Sequence, residues 1–137
     1  KTTPIEVMEQ SGILFKRKML IQDSGGAGCF RGGLGVRVEV SGPSSMSFRC
    51  TQAHAGDGPA GRDGGQSGAM VSSRTGSGTT ENTYVIETAG GGGFGSSAKR
   101  PRTNLLDDVH NGYISYTAAV SRYGLRAEDL PEEAADK

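Results

Sequence analysis

The fold of this chain is decided by the stretch 23–35, Asp-Ser-Gly-Gly-Ala-Gly-Cys-Phe-Arg-Gly-Gly-Leu-Gly, which holds six glycines. Glycine weakens helix and strand interiors because it loses the most backbone entropy on folding and buries no side chain. The stretch therefore favours neither a helix nor an ordinary strand. Two similar stretches follow at 54–65 and 89–95. We call these the first, second and third glycine segments.

The spacing of the glycine segments excludes a solenoid, because they recur at no fixed period. Collagen is excluded as well, since the Gly-X-Y period is missing. Extended segments without side chains can still pack with their backbones close together. We therefore expect polyproline-II-like segments that pack against each other or against a partner.

Composition indicates that the chain needs a partner to be well ordered. Glycine supplies 23 of 137 residues, whereas Leu, Ile, Val and Phe together supply only 24. The 15 basic and 15 acidic residues balance, which removes the general attraction that nucleic-acid and anionic-membrane binders use. No apolar run approaches the roughly 18 residues of a spanning helix, and the start lacks a signal-peptide core. These features predict a cytoplasmic protein with no nucleic-acid or membrane partner.

Periodicity predicts a mainly β fold with glycine-rich extended segments and a short C-terminal α-helical hairpin. Strands are predicted at 13–21, 36–40, 46–51 and 83–88, with 36–40 and 46–51 paired through a turn, and a loop is predicted before residue 83. In the hairpin, Ser115 suits an N-cap and Gly124 the residue after the helix end. The predicted organisation is a β/glycine-rich module at 1–102, the helical hairpin at 103–125 and an acidic tail at 126–137.

Candidate ligand motifs in the sequence are weak. Gly90-x-Gly92-x-x-Gly95 matches a dinucleotide fingerprint but lacks the helix that must follow it. Phe30-Arg31-Gly32-Gly33 and the basic run 99–102 each occur once, which is too little for RNA binding. The chemistry of the residues indicates no catalytic residue and no cofactor-binding residue on this chain.

A metal site is the sharpest alternative from the residues alone. Cys50 and His54 lie four apart, and His110, Asp57 and Asp63 could complete a zinc site. Two cysteines are too few for a disulfide framework or a four-cysteine zinc site. A strand-end cysteine and a loop histidine without metal explain the same residues.

Several motifs, in order, resemble the later part of hydantoinase B/oxoprolinase subunits. They are Thr2 to Glu9, Asp23 to Val36, Gly58-Pro59-Ala60-Gly61-Arg62, Ile86 to Gly95, and Asp108-Val109-His110-Asn111-Gly112-Tyr113-Ile114-Ser115. The resemblance spans residues 2–125. It departs from the family in length, because a typical B-type subunit is several times longer, and in the Ser/Thr/Gly-rich stretch 65–83.

The resemblance implies a role in a hetero-oligomer of A-type and B-type subunits that couples ATP hydrolysis to work on a carbonyl compound. ATP and a divalent metal are then expected on the partner subunits, with zinc possible here. The favoured function is a small accessory subunit of an acetone or acetophenone carboxylase type of complex, not catalytic alone. The alternatives are a subunit or fragment of an ATP-dependent hydantoinase or 5-oxoprolinase, and an autonomous small metal- or anion-binding module.

Overall fold

Four strands form an antiparallel sheet in a computed structural model that describes residues 5–47, 58–76 and 81–126. The strands, in the order β1-β2-β4-β3 across the sheet, are β1 (Leu14–Leu20), β2 (Val36–Pro43), β3 (Ser72–Gly76) and β4 (Glu81–Glu87). Alternating valines at 36, 38 and 40 give β2 its period of two, which suits a strand with one apolar face. The mainly β prediction is confirmed in this form.

The two faces of the sheet differ in character. Phe15, Val40 and Tyr84 lie opposite one another in register, and Val38 lies opposite Ile86, so one face carries an apolar band. On the other face the Arg37 guanidinium donates to Glu87 at 3.1 Å. Since only Val40 and Tyr84 of this band are fully buried, the apolar face is incompletely covered.

Strand β1 is the least protected strand of the sheet. It lies at an edge, and every side chain along it except that of Phe15 is exposed. Its exposed apolar side chains include Leu14, Met19 and Leu20. Such an edge offers unpaired backbone groups and apolar surface to another polypeptide.

Three short helices complete the described structure: α1 (Ile5–Gln10), α2 (Arg102–His110) and α3 (Tyr116–Tyr123). A small buried cluster connects α2 and α3. Its centre consists of Leu105 of α2, Ile114 between the helices and Ala119 of α3, and Ala118 and Leu125 extend it. The apolar side chains of the hairpin therefore form a small packing surface, although Val120 of α3 is 40% exposed. Among the described residues, no helix is long and apolar enough to cross a membrane.

The ends of α3 follow the predicted capping chemistry. The Ser115 hydroxyl oxygen accepts the Ala118 amide at 3.1 Å, which satisfies one free N–H of the first turn. Gly124 ends the helix at φ +72°, a left-handed conformation that favours glycine. The predicted helical hairpin is confirmed, with α2 beginning one residue earlier than expected.

The glycine segments pack backbone to backbone. The amides of Gly26, Gly91 and Gly93 donate to the carbonyl oxygens of Gly91, Gly33 and Gln66 at 2.9, 2.8 and 2.9 Å. Pro59 joins the same array by accepting the Gly68 amide at 2.9 Å. We call this array of residues 24–33, 58–70 and 89–95 the glycine bundle. Its polyproline-II conformation stays a prediction.

The glycine bundle has no room for side chains at its contacts. A Cβ atom on Gly32 would overlap the carbonyl oxygen of Gly91, and one on Gly90 would overlap that of Ser24. Ser24 also ties the ends of the first segment together, since its buried hydroxyl donates to Ile21 and accepts the Gly35 amide. Close backbone approach explains why the contact positions of the bundle are glycines.

Two local predictions are wrong. Residues 72–76 form β3 within the predicted loop, because β4 supplies hydrogen-bond partners to a segment without apolar alternation. The strand 36–40 pairs with β1 and β4 on its two sides rather than with 46–51, and residues 48–51 of that predicted strand lie outside the described residues. Helix α1 lies in a part of the chain for which no element was predicted. The acidic tail beyond Arg126 lies outside the described residues.

Candidate functional site

An exposed aromatic pair stands on the surface of the glycine bundle. Phe30 and Phe94 exchange backbone hydrogen bonds of 3.0 and 2.9 Å, and their ring centroids lie 6.3 Å apart at a tilt of 49°. Phe30 is 68% exposed and Phe94 48%. A chain with few large apolar residues thus presents two of its four phenylalanines to its surroundings. Exposed apolar patches of this kind mark interaction sites.

A buried ion cluster lies beside the aromatic pair. Asp108 of α2 accepts from Arg31 Nε at 3.0 Å and Nη2 at 3.3 Å, and from Arg100 Nη2 at 2.6 Å. The side chains of Arg31, Arg100 and Asp108 are 15%, 10% and 11% exposed. We call these three residues the arginine clamp. Two cations face one anion, so the clamp carries a surplus positive charge.

The arginine clamp connects the helices to the glycine bundle. Arg100 Nη1 donates to the Cys29 carbonyl oxygen at 3.1 Å, and Arg31 Nη1 donates to that of Gly32 at 2.8 Å. The Arg31 guanidinium also lies 5.6 Å from the centroid of the Tyr113 ring, within cation–π range. The clamp therefore fixes the position of the first glycine segment against α2.

The charges of the arginine clamp affect the pKa of Tyr123 in α3. Burial raises the pKa of Tyr123 above its ordinary value, and the positive charges of Arg100 and Arg31 oppose this shift without cancelling it. The phenol is consequently protonated at neutral pH. It acts there as a neutral hydrogen-bonding group rather than as a base.

A cavity of about 300 Å³ opens beside Phe30 of the aromatic pair and the two arginines of the clamp. Two parts of the chain that are distant in sequence form its walls, which are Cys29, Phe30, Arg31, Arg100, Pro101 and Asn104. The Cys29 thiol donates to the Lys99 carbonyl oxygen at 3.5 Å. We call this space the aromatic–arginine cavity. It combines an exposed aromatic ring with surplus positive charge.

The predicted metal ligands Cys50 and His54 lie outside the described residues, as does Asp57. His110 is exposed at the end of α2, and Asp63 occupies a turn at φ +51°. Within ranges 5–47, 58–76 and 81–126, no three His, Cys, Asp or Glu side chains are grouped to hold a metal ion. Zinc binding by Cys50 and His54 stays a prediction.

The glycines of the dinucleotide fingerprint take part in the backbone hydrogen bonds of the glycine bundle. Gly90 donates to the Ala69 carbonyl oxygen at 3.1 Å, and Gly95 donates to that of Arg62 at 3.0 Å, both inside the glycine bundle. A single 3₁₀ turn at Ser97–Lys99 follows, and α2 begins only at Arg102. The helix that would receive a pyrophosphate at Gly95 is thus replaced by other structure.

Sequence reasoning missed two parts of the site. Residues 66–70, which the sequence placed in the Ser/Thr/Gly-rich stretch after the second glycine segment, join the glycine bundle, where the amides of Gln66 and Ala69 donate to the carbonyl oxygens of Ala27 and Ser24 at 2.7 and 2.8 Å. Asp108 was noticed only as part of a motif, although it is the one acidic residue of the arginine clamp. The signal available for Asp108 was its position on the buried side of α2, three residues after Leu105.

Comparison with known proteins places this sequence beside ATP-dependent enzymes. The family model described as hydantoinase B/oxoprolinase matches residues 1–97. The caprolactamase beta subunit of Pseudomonas jessenii is 31% identical over 145 residues, which cover 88% of this chain and 24% of that protein. An uncharacterised protein of Methanocaldococcus jannaschii is 32% identical over 139 residues, covering 90% and 25%. The chain spans about a quarter of the length of these relatives.

Two solved structures share the fold. The crystal structure of ATP-dependent caprolactamase from Pseudomonas jessenii superposes with a TM-score of 0.60 at 27% identity, covering 96% of this chain and 27% of that one. The nucleotide-free structure of acetone carboxylase gives a TM-score of 0.56 at 16% identity, covering 92% and 23%. At 16% identity the second likeness concerns the fold alone.

Proposed function

This chain belongs to the hydantoinase B/oxoprolinase family, and on that premise we propose that it forms part of a B-type subunit within an ATP-dependent hetero-oligomer. It supplies a rigid β and glycine-bundle module to that subunit. In this proposal the nucleotide and its divalent metal bind the A-type partner. The observation that carries the proposal is the match of 88% of this chain to only 24% of a caprolactamase beta subunit.

The surface of the chain supports a role inside a larger assembly. Among the described residues the buried apolar side chains are few and three of the eight are alanine, whereas Phe30, Met70 and Leu14 are each more than half exposed. The apolar band of the sheet is only partly covered, and edge strand β1 is open. A chain with this distribution gains stability when a partner covers the exposed apolar surface.

The substrate class we propose first is a cyclic amide. The identity to the caprolactamase subunit, 31% in sequence and 27% across the superposed structure, exceeds the 16% identity to acetone carboxylase. This order reverses the preference for a ketone carboxylase that the sequence motifs suggested. Ketone carboxylation with bicarbonate is the second candidate, because the fold is shared with acetone carboxylase.

Co-expression tests the assembly role. The chain is produced alone and together with the A-type and B-type polypeptides of its own source organism, and each preparation is analysed by affinity capture and light scattering. We expect a stable complex that contains all three polypeptides. A cooperatively folded monomer that ignores both partners contradicts the proposal.

Activity of that complex decides between the substrates. ATP hydrolysis is measured with caprolactam, with a hydantoin, and with acetone or acetophenone plus bicarbonate. We expect stimulation by the cyclic amides. Stimulation by ketone and bicarbonate alone would replace the first substrate class by the second and leave the assembly role intact.

A further inference from the structure

Two sequence motifs that have no role in the proposed function meet in space. Phe30 and Arg31 come from the first glycine segment, and Arg100 and Pro101 come from the basic run before α2. They line the same aromatic–arginine cavity, and Arg100 Nη1 bonds to the Cys29 carbonyl oxygen 71 residues away in sequence. The fold therefore builds one composite surface from two stretches that are each weak signals alone.

The aromatic part of this surface is rigid although it is exposed. The backbones of Phe30 and Phe94 are bonded to each other in both directions, and the Cys29 amide donates to Gly95 at 3.2 Å. A Cβ on Gly28 would also meet the Phe94 backbone at 2.7 Å, so the two backbones cannot separate without breaking this packing. Because the backbone of each ring is already fixed, no backbone freedom is lost there when a partner covers the rings, and aromatic residues of this kind are enriched among binding hot spots.

The surroundings of the cavity are basic. Arg31 and Arg100 outnumber Asp108 in the arginine clamp, and Lys99 and Arg102 are exposed next to Arg100. A ligand segment with a carboxylate is attracted to this field, and its apolar side chain can cover Phe30. Aromatic residues and arginine are enriched at the centres of protein interfaces, whereas lysine lies at their rims.

We propose that the aromatic–arginine cavity is the docking site for a segment of a B-type polypeptide that carries an apolar side chain beside a carboxylate. The proposal rests on the proposed function, and it identifies the contact surface through which assembly occurs. We take the occupant from the comparison, because this chain aligns with 24% of the caprolactamase beta subunit and a B-type polypeptide of that kind has further segments that the alignment does not cover. Charge complementarity selects an acidic segment of that remainder.

Binding of matched variants tests the docking site. The chain carries Phe30→Ala in one variant and Val120→Ala in a control, since both side chains are exposed and Val120 lies on α3 and does not line the cavity. Affinity for the B-type polypeptide, co-expressed with its A-type partner, is measured by biolayer interferometry. We expect Phe30→Ala to weaken the Kd at least about tenfold and Val120→Ala by less than about twofold. Thermal melts of the free variants are expected to match the wild type, because neither ring nor side chain is buried.

Charge reversal provides an independent measurement. Lys99→Glu is expected to weaken binding and to reduce its dependence on salt, whereas Ser121→Glu, which adds a negative charge at an exposed position of α3, leaves both unchanged. A photoreactive benzoylphenylalanine at position 30 should cross-link to an acidic segment of the B-type polypeptide. Cross-linking to the A-type subunit or to RNA, or equal losses for Phe30→Ala and Val120→Ala, would overturn the proposed docking site while the assembly role stands. Failure of the wild-type chain to bind overturns both.

Discussion

Gly32 and Gly33 are adjacent residues with opposite requirements. A Cβ on Gly32 would overlap the Gly91 carbonyl oxygen, whereas a Cβ on Gly33 would meet nothing within 4 Å. Position 32 is buried in the glycine bundle, and position 33 is exposed. Close backbone contact thus requires glycine at position 32 but not at position 33.

Replacing each of these two glycines by alanine tests whether close backbone packing requires glycine at position 32 but not at position 33. We expect Gly32→Ala to destabilise the chain by more than about 3 kcal/mol, the upper range for overpacking, because the obstacle is backbone that cannot move aside. Gly33→Ala should be neutral or stabilise by up to about 1 kcal/mol, since it restricts only the unfolded chain. Urea unfolding of both variants measures the difference. Equal stability of the two variants would contradict the bundle geometry.

Asp108 is the second residue whose replacement has a defined cost. Asp108→Asn removes the charge that two buried arginines share, and we expect a loss on the order of 3 kcal/mol in the free energy of unfolding. The matched control is Asp107→Asn, because Asp107 directly precedes Asp108 in α2 and its side chain is exposed. Urea unfolding of the two variants provides the comparison. A control as unstable as Asp108→Asn would show that the helix, not the arginine clamp, is sensitive to the change.

At the scale of the element, α3 is specified by its own sequence. Ser115→Ala removes the acceptor of the Ala118 amide, and we expect a loss of about 1 kcal/mol. Ser121→Ala serves as control, since Ser121 is exposed inside the helix and alanine has the higher helix propensity there. Thermal unfolding of both variants, followed by circular dichroism, measures the difference. If Ser121→Ala is the less stable variant, the capping account is wrong.

The sequence could predict the elements that local signals specify, but not those that depend on residues far apart in the chain. The caps of α3 and the alternation of β2 are local signals, so both elements were predicted with their bounds nearly correct. Strand β3, Ser-Ser-Arg-Thr-Gly, has no such pattern and becomes a strand through its pairing with β4. The arginine clamp joins residues 77 positions apart, a distance over which no spacing rule operates. Only the three-dimensional arrangement could place Arg31, Arg100 and Asp108 together.

At the scale of the whole molecule, exposure is unevenly distributed. The helical cluster around Ala119 is closed, while edge strand β1 is open to its surroundings. Hydrogen bonds in such an open edge strand break more readily than those beside a buried cluster. The sheet, rather than the hairpin, is therefore the part that depends on covering by a partner.

Hydrogen exchange should report this dependence. In the isolated chain we expect the amides of β1 to exchange quickly and those of α3 near Ala119 to exchange slowly. In complex with the A-type and B-type polypeptides, protection of β1 should rise by at least about tenfold while that of α3 changes little. Mass spectrometry of peptic fragments measures both in one experiment. Unchanged exchange in β1 would mean that this edge stays open after assembly.

The glycine bundle has a further consequence for the order of events during synthesis. Its hydrogen bonds join Gly26 to Gly91 and Gln66 to Gly93, so the first segment leaves the ribosome long before its partners exist. Contacts between such distant positions form late, because loop closure must precede any gain from them. The first segment therefore cannot make these hydrogen bonds until residue 95 has been translated. Closure of the glycine bundle is for that reason expected late in the folding of this module.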